Sequence, residues 1–195
     1  MHENVVADSS FYICYECDLK KSKWLHYFLK SYSFNLGVRI INELPETLSK
    51  SEHFYSYVKV HNEDFFEIVK PFYGRSEKHK NDGEYEAIGI AYHLNSFNDL
   101  KNFILDDYRA NNFVKKHFPE LTPKLIRTIG FIVKSNYDGV LSTEYALEIL
   151  NDIKTVADQH ISISYDKRPC GIDKISYSKI LIPTINVLTI KHEQQ

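Results

Sequence analysis

The sequence predicts an α/β fold built on a parallel sheet, and three observations carry that prediction. Asn4-Val5-Val6-Ala7 is a short apolar run that stops in the polar stretch Asp8-Ser9-Ser10, as a buried strand does where it leaves a sheet. Trp24, Leu25, Phe28, Leu29 and Tyr32 recur at the spacing of one helical face, and Gly37 then leads into a second apolar run, Val38 to Ile41, read as the next strand. Acidic residues stand repeatedly where predicted strands end or helices begin, the places that line up along one edge of a parallel sheet.

The remaining elements follow in order. A short helix carrying Glu46 is expected to start near Pro45, because a proline in the first helical turn forfeits no hydrogen bond. Residues 50–82 are aromatic and charged, with a helix expected over Glu63 to Val69, a stop at Pro71 and a loop over Gly74 to Lys80; the stretch reads as an insertion or lid. Asp82-Gly83-Glu84 opens a helix whose Ala87, Ile88, Ala91 and Leu94 face a core, its acids suiting the positive end of the helix dipole. Phe103-Ile104-Leu105 is a strand stopped by Asp106-Asp107, and a helix follows from Tyr108 to about Lys116. Helices are expected near Leu125 to Ser135 and Thr143 to Ala157, separated by Asp138-Gly139. In the tail, Ile161 to Tyr165 alternates like a strand but also suits a turn, and Ser176 to Leu188 makes a last helix, kinked or begun at Pro183.

With 195 residues the chain can bury roughly 70% of the surface that its unfolded form exposes. A net charge of −2 supplies no global attraction to nucleic acid or an anionic membrane, so any polyanion site must be local. Met1 to Ser10 lacks the features of a secretory signal, and the longest apolar stretch, Ile180 to Ile190, is too short to span a bilayer; the expectation is a cytoplasmic protein without a membrane contact. Three cysteines, Cys14, Cys17 and Cys170, cannot all pair, which argues against a disulfide framework and for a reducing compartment. Cys14-x-x-Cys17 has no second ligand pair at zinc spacing and reads as two thiols on an apolar helix start. No histidine stands four residues from another, and there is no glycine-rich phosphate loop or Gly-x-Ser-x-Gly elbow.

The acids at element ends are Asp8, Glu46, Glu84, Asp106 and Asp107. Carboxylates brought together repel, by about 4 kcal/mol for two charges about 4 Å apart at an effective dielectric near 20, and a divalent cation relieves the repulsion. Oxygen ligands suit Mg²⁺ or Mn²⁺, and a water made more acidic there can attack phosphorus. The plainer reading of the same residues is that Asp caps helices and Glu favours first turns. Glu86 is turned about 200° from Glu84 on a helix and reads as solvated. Arg109 is a candidate phosphate contact against ordinary exposure, and Ser9 is either a partner of Asp8 or a turn cap. Two basic stretches, Arg75 to Lys80 behind Phe72 and Tyr73, and Lys20 to Trp24, are candidates to guide RNA by charge and stacking, against the commoner solvated loop and helix start.

Val5 to Ser10, Leu44-Pro45-Glu46-Thr47-Leu48, Gly83 to Ala91 and Ile104 to Ala110 resemble, in order, the segments of PIN-domain proteins, closest to a prokaryotic branch in which a glycine-glutamate helix precedes a strand ending in paired aspartates. Thr128 to Lys134, followed by Gly139 and Val140, is similar to that branch's next helix and turn. The resemblance covers most of Val5 to Leu150 and implies a three-layer α/β/α sandwich with a central, mostly parallel sheet over residues 1–157. The stretch at 50–82 is longer than in compact members of the family and is expected as a helical insertion or lid, and the tail, 158–195, which the family does not explain, is expected as a C-terminal helical extension packed on that domain. The resemblance also implies a Mg²⁺- or Mn²⁺-dependent endoribonuclease acting on RNA, such as the toxin of a toxin–antitoxin pair with an antitoxin partner, and a homodimer. Asp8, Glu84, Asp106 and Asp107 are then metal ligands, Glu46 the second acid of the catalytic set, and Ser9 and Arg109 supporting or RNA-contacting residues. Asn111 stands where the family often has arginine. The competing expectation is a PIN-like fold without catalysis that serves as a binding or assembly module; a metal-free α/β enzyme acting on a small molecule has little support in these residues.

Overall fold

The computed structural model describes residues 2–72, 82–161 and 169–194. Its centre is a sheet of five strands: β1 (Asn4–Ala7), β2 (Ser33–Gly37), β3 (Val58–His61), β4 (Leu100–Ile104) and β5 (Leu125–Ile126). They lie in the order β3-β2-β1-β4-β5 and every pairing is parallel, with Val6 opposite both Asn35 and Phe103. Parallel strands require crossovers, and right-handed crossovers leaving β1 in two directions put helices on both faces, giving the α/β/α sandwich. Val5, Val6 and Ala7 are wholly buried, as a central strand covered on both faces must be.

After β1 come α1 (Ser9–Ile13), a π-type turn over Cys14–Asp18 and α2 (Ser22–Ser31). Trp24, Leu25, Phe28 and Leu29 are the buried face of α2, as their spacing predicts. Phe28 meets Phe131 at 5.3 Å between ring centroids, and Phe11 meets Phe34 at 5.3 Å, so an aromatic cluster fixes α1 and α2 against β2 and α9 (Thr128–Tyr137). Between β2 and β3 lie α3 (Val38–Glu43), α4 (Glu46–Ser49) and α5 (Glu52–Tyr55); α6 (Phe66–Val69) and α7 (Asp82–Ser96) lead to β4. Then come α8 (Tyr108–His117), β5, α9, α10 (Thr143–Ile161), α11 (Lys174–Ser176), a second π-type turn over Tyr177–Leu181 and α12 (Ile182–Glu193), which packs on α10. Among the described residues, no helix is long and apolar enough to cross a membrane.

Several expectations are corrected. Val38 to Ile41 is helical, and the second strand is the preceding Ser33–Gly37. Its polar residues conceal it in sequence: Asn35 is fully buried, its amide nitrogen donating to Ser33 O (2.9 Å) and Asn4 Oδ1 (3.0 Å) while its oxygen meets His61 Nε2 at 2.9 Å. A satisfied polar network can occupy a strand that apolar periodicity cannot detect. Leu125 and Ile126 are the edge strand β5, so the helix expected from Leu125 starts only at Thr128. Residues 50–82 contain α5, the other edge strand β3 and α6, so part of the presumed insertion is integral to the sheet. The expected loop Gly74 to Lys80, Tyr73, and the alternating residues 162–165 lie outside the described residues.

The cysteine reading is also corrected. Cys14 and Cys170 form a disulfide across 156 residues with Cα atoms 4.4 Å apart, leaving Cys17 exposed and free. Spacing along the chain carries no information about two residues that only the completed fold brings together, and an odd cysteine count does not prevent one pair. The argument from cysteines for a reducing compartment therefore falls.

Candidate functional site

The strand order reverses at β1: the chain proceeds outward to β2 and β3, then returns to place β4 on the other side. The carboxyl ends of β1 and β4 therefore flank a topological switch point, where helices leave on opposite faces and open a crevice. Asp8 follows β1 and Asp106 lies two residues beyond β4. Asp8 is fully buried and caps α1, one carboxylate oxygen accepting from Phe11 N–H and the other from Asp106 N–H, both at 3.3 Å. Asp106 is half-buried and points to α9, accepting from Thr128 N–H (3.0 Å) and Thr128 Oγ1 (2.5 Å).

Burial raises the Asp8 pKa well above the usual carboxylate value, and the charges of Asp106 and Glu84 raise it further against the two backbone donors. Burial likewise raises Asp106, opposed by Thr128 and by the Arg127 charge. Two phenols lie within the same field. Tyr12 and Tyr15 are fully buried, their hydroxyls have no hydrogen-bond partner among the described residues, and their acidity is suppressed by burial and then by Asp8 and Asp106 respectively.

Above these residues opens a cavity of about 330 Å³ lined by Ser10, Asp18, Glu84, Asp106, Asp107 and Arg127, with Tyr108, Gly171 and Asp173 also on its wall. Glu84 comes from the first turn of α7. Asp107 caps α8, accepting from Ala110 N–H at 2.7 Å. Asn111 is buried and donates to Leu105 O (2.6 Å) and Asp107 O (2.9 Å), so it braces the β4–α8 turn where a phosphate-seeking arginine was the comparison. Arg127 is the cation among these acids and donates to Ser176 Oγ at 3.3 Å.

Comparison with family models, curated proteins and solved structures finds no match for this chain.

Of the residues singled out in sequence, Asp8, Glu84, Asp106 and Asp107 gather at this edge, and Glu46 does not. Glu46 is exposed on α4 and pairs with Lys50 at 2.8 Å. Glu43, three residues earlier and also exposed, bridges to two other elements: Ser9 Oγ donates to it at 2.6 Å and Gly83 N–H at 3.0 Å. A Cβ on residue 83 would stand 2.5 Å from a Glu43 carboxylate oxygen, so a larger residue there would displace the Glu43 carboxylate from Gly83 N–H. Ser9 thus serves Glu43 rather than Asp8, and Arg109 is exposed on α8. Glu43 was hidden because it terminates a helix whose first residues read as a strand. Asp18, Arg127 and Asp173 had no local signal, since only the fold assembles them.

Glu86, expected to be solvated, is 2% exposed. Its carboxylate accepts from Arg39 N–H (2.7 Å) and Ile40 N–H (3.0 Å) at the start of α3. The helical rotation does separate it from Glu84, but the far face of α7 meets α3 instead of water. Lys21 pairs with Asp152 at 2.6 Å and Lys23 with Glu148 at 2.7 Å, so these members of the basic stretch at 20–24 tie α2 to α10.

The donors at the cavity are hard oxygen atoms, the type that Mg²⁺ or Mn²⁺ accepts. Burial raises Asp8 most, and the charges of Asp106 and Glu84 add a smaller rise that a cation would relieve. Among the described residues, however, no three His, Cys, Asp or Glu side chains stand in a ready coordination group. The donors are of the chemical type a divalent cation takes, but the oxygens of Asp8 and Asp106 are engaged by Phe11, Asp106 N–H and Thr128.

Proposed function

We propose that the cavity at the β1/β4 switch point is the centre of a PIN-like, Mg²⁺- or Mn²⁺-dependent endoribonuclease. The observation that supports this reading best is the meeting of Asp8, Asp106 and Glu84, drawn from separate parts of the chain, closely enough for the last two to raise the first. Asp106, Glu84 and Asp8 are the residues to hold the cation, whose chemistry there is to neutralise their charge and to acidify a water for attack on phosphorus. Arg127 supplies a positive guanidinium toward a phosphate, the form of cation suited to bidentate phosphate contacts. Tyr108, 66% exposed on the cavity wall, offers a flat ring on which an unpaired base can stack, which favours single-stranded RNA. In a toxin–antitoxin setting, the partner would be an inhibitor protein that covers this cavity.

The test is cleavage of single-stranded RNA by the purified chain with Mn²⁺. Asp106→Asn should remove the activity, and excess chelator should do the same. Cleavage that survives either treatment rejects the reading.

One observation favours a second reading, a PIN-like binding or assembly module without catalysis: the acids stand in no ready coordination group among the described residues. Calorimetric melting separates the two. A nuclease centre should gain thermal stability with rising Mn²⁺ by ligand linkage, whereas an unchanged melting temperature selects the module.

A further inference from the structure

The segment Cys170–Asp173 stands between two cavities. The acidic cavity of about 330 Å³ lies on one side, and on the other is a mainly apolar cavity of about 210 Å³ lined by Ile129, Gly130, Cys170 and Ile172; Asp106, Arg127 and Gly171 border both. Three contacts hold the segment as that partition. Cys170 is bonded to Cys14 on the π-type turn, its N–H donates to Asp18 Oδ2 at 2.6 Å, and Gly171 lies so close to Asp106 that a Cβ there would be 2.8 Å from the Asp106 Cβ. Cys170 and Gly171 both have positive φ, 53° and 67°, so the backbone makes a tight left-handed turn directly over the acid.

We infer that the Cys14–Cys170 disulfide is a reversible latch that keeps this partition closed over Asp106, and that its reduction opens the site to a polyanion. The latch deepens the nuclease reading as regulation of the same cavity, and it rests on that reading only for its effect on cleavage. The step is a two-electron exchange with a dithiol. Cys14 is fully buried and Cys170 is 4% exposed on the wall of the apolar cavity, so exchange requires local opening of this segment. A thiolate of the dithiol then attacks the Cys170 sulfur; Cys14 leaves as a thiolate and takes a proton; and the second thiol of the reductant closes on the mixed disulfide, releasing Cys170 as a thiol and the reductant as its own disulfide. Cys17 is a poor internal substitute, because burial and the charges of Asp18 and Glu16 raise its pKa and deplete the attacking thiolate.

Opening has a definite electrostatic sign. Asp173 adds a carboxylate to the acidic wall while the segment is latched, and Ser176, just beyond it, accepts from Arg127. Release withdraws that negative charge, frees the guanidinium and joins the two cavities beside Asp106. All three changes favour a phosphodiester.

Hydrogen exchange of the full chain, oxidised and after dithiol reduction, tests the latch without any assumption about catalysis. The N–H groups of Cys170, Ser176 and Tyr177 are held by Asp18 Oδ2, Asp173 Oδ1 and Asp173 O. At short labelling times these amides should exchange at least tenfold faster after reduction, with β1 and β4 protected in both states. Cys170→Ser should show the fast pattern with or without reductant, and Cys17→Ser should respond as the wild type does. RNA cleavage with Mn²⁺ should rise severalfold on reduction. Equal protection in the two redox states, or a thiol count of three in the protein purified without reductant, overturns the latch. Exchange that responds as expected with no cleavage in either state supports the latch and rejects the nuclease.

Discussion

Asp8 is a buried carboxylate whose ionisation costs the fold stability. Its pKa in the folded chain is raised, so the folded chain keeps a proton that the unfolded chain releases. Stability is therefore greatest below the unfolded carboxylate pKa and declines as pH rises from there through the folded value, above which the penalty is complete. Asp8→Asn should melt at a higher temperature than the wild type at neutral pH without divalent metal, with the gain shrinking as pH falls toward about 4; scanning calorimetry across that range checks it. A variant less stable than the wild type at pH 7 would mean that the donors from Phe11 and Asp106 outweigh the burial cost. Glu86 makes the opposite case. Glu86→Ala leaves two N–H groups at the start of α3 without their carboxylate and should cost about 2–3 kcal/mol in denaturant unfolding, while Glu86→Gln, which keeps an acceptor oxygen, should cost less. Asp8 and Asp106 were legible in sequence because each ends an apolar run within a few residues. The tie from Glu43 to Ser9 and Gly83 was not, because it requires knowing that Val38 begins a helix.

At the scale of elements, the acids at the cavity are also the devices that start helices. Asp8 caps α1, Asp107 caps α8 and Asp173 caps α11. Both the capping and the metal interpretations of these residues were available from the sequence, and the structure shows the caps directly. The two roles can be separated at Asp107. Asp107→Asn preserves a capping oxygen and should unfold within a few tenths of a kcal/mol of the wild type, whereas Asp107→Ala should lose about 1 kcal/mol. If the Asn variant is as destabilised as the Ala variant, the charge rather than the cap holds α8. Elements announced by local pattern, such as α2 and α7, were found where their apolar spacing placed them. Those defined by tertiary partners were not: β2 carries its polar residues into a buried network with His61, and β5 pairs for only two residues.

For the whole molecule, the sheet order is what converts scattered acids into a site. The reversal at β1 opens the crevice, and the chain ends of β1 and β4 bring Asp8 and Asp106 to it, with Glu84 entering from α7. The buried first strand, the α2 face and the acids at element ends made the fold class readable in the sequence, although the second strand was placed one segment too late. The contribution of the C-terminal segment was not readable, because its disulfide joins residues 156 apart and its Gly171 meets Asp106 only in the finished fold. The most direct measurement of the central claim is Mn²⁺-dependent cleavage of single-stranded RNA by the wild type beside Glu84→Gln and Glu46→Gln. Glu84→Gln should lower the rate at least 100-fold, and Glu46→Gln, whose side chain is exposed and paired with Lys50, should stay within about twofold of the wild type, on the scale expected for losing a group that acts on the reacting phosphate. Equal rates for all three proteins would contradict the assignment of this cavity as the catalytic centre.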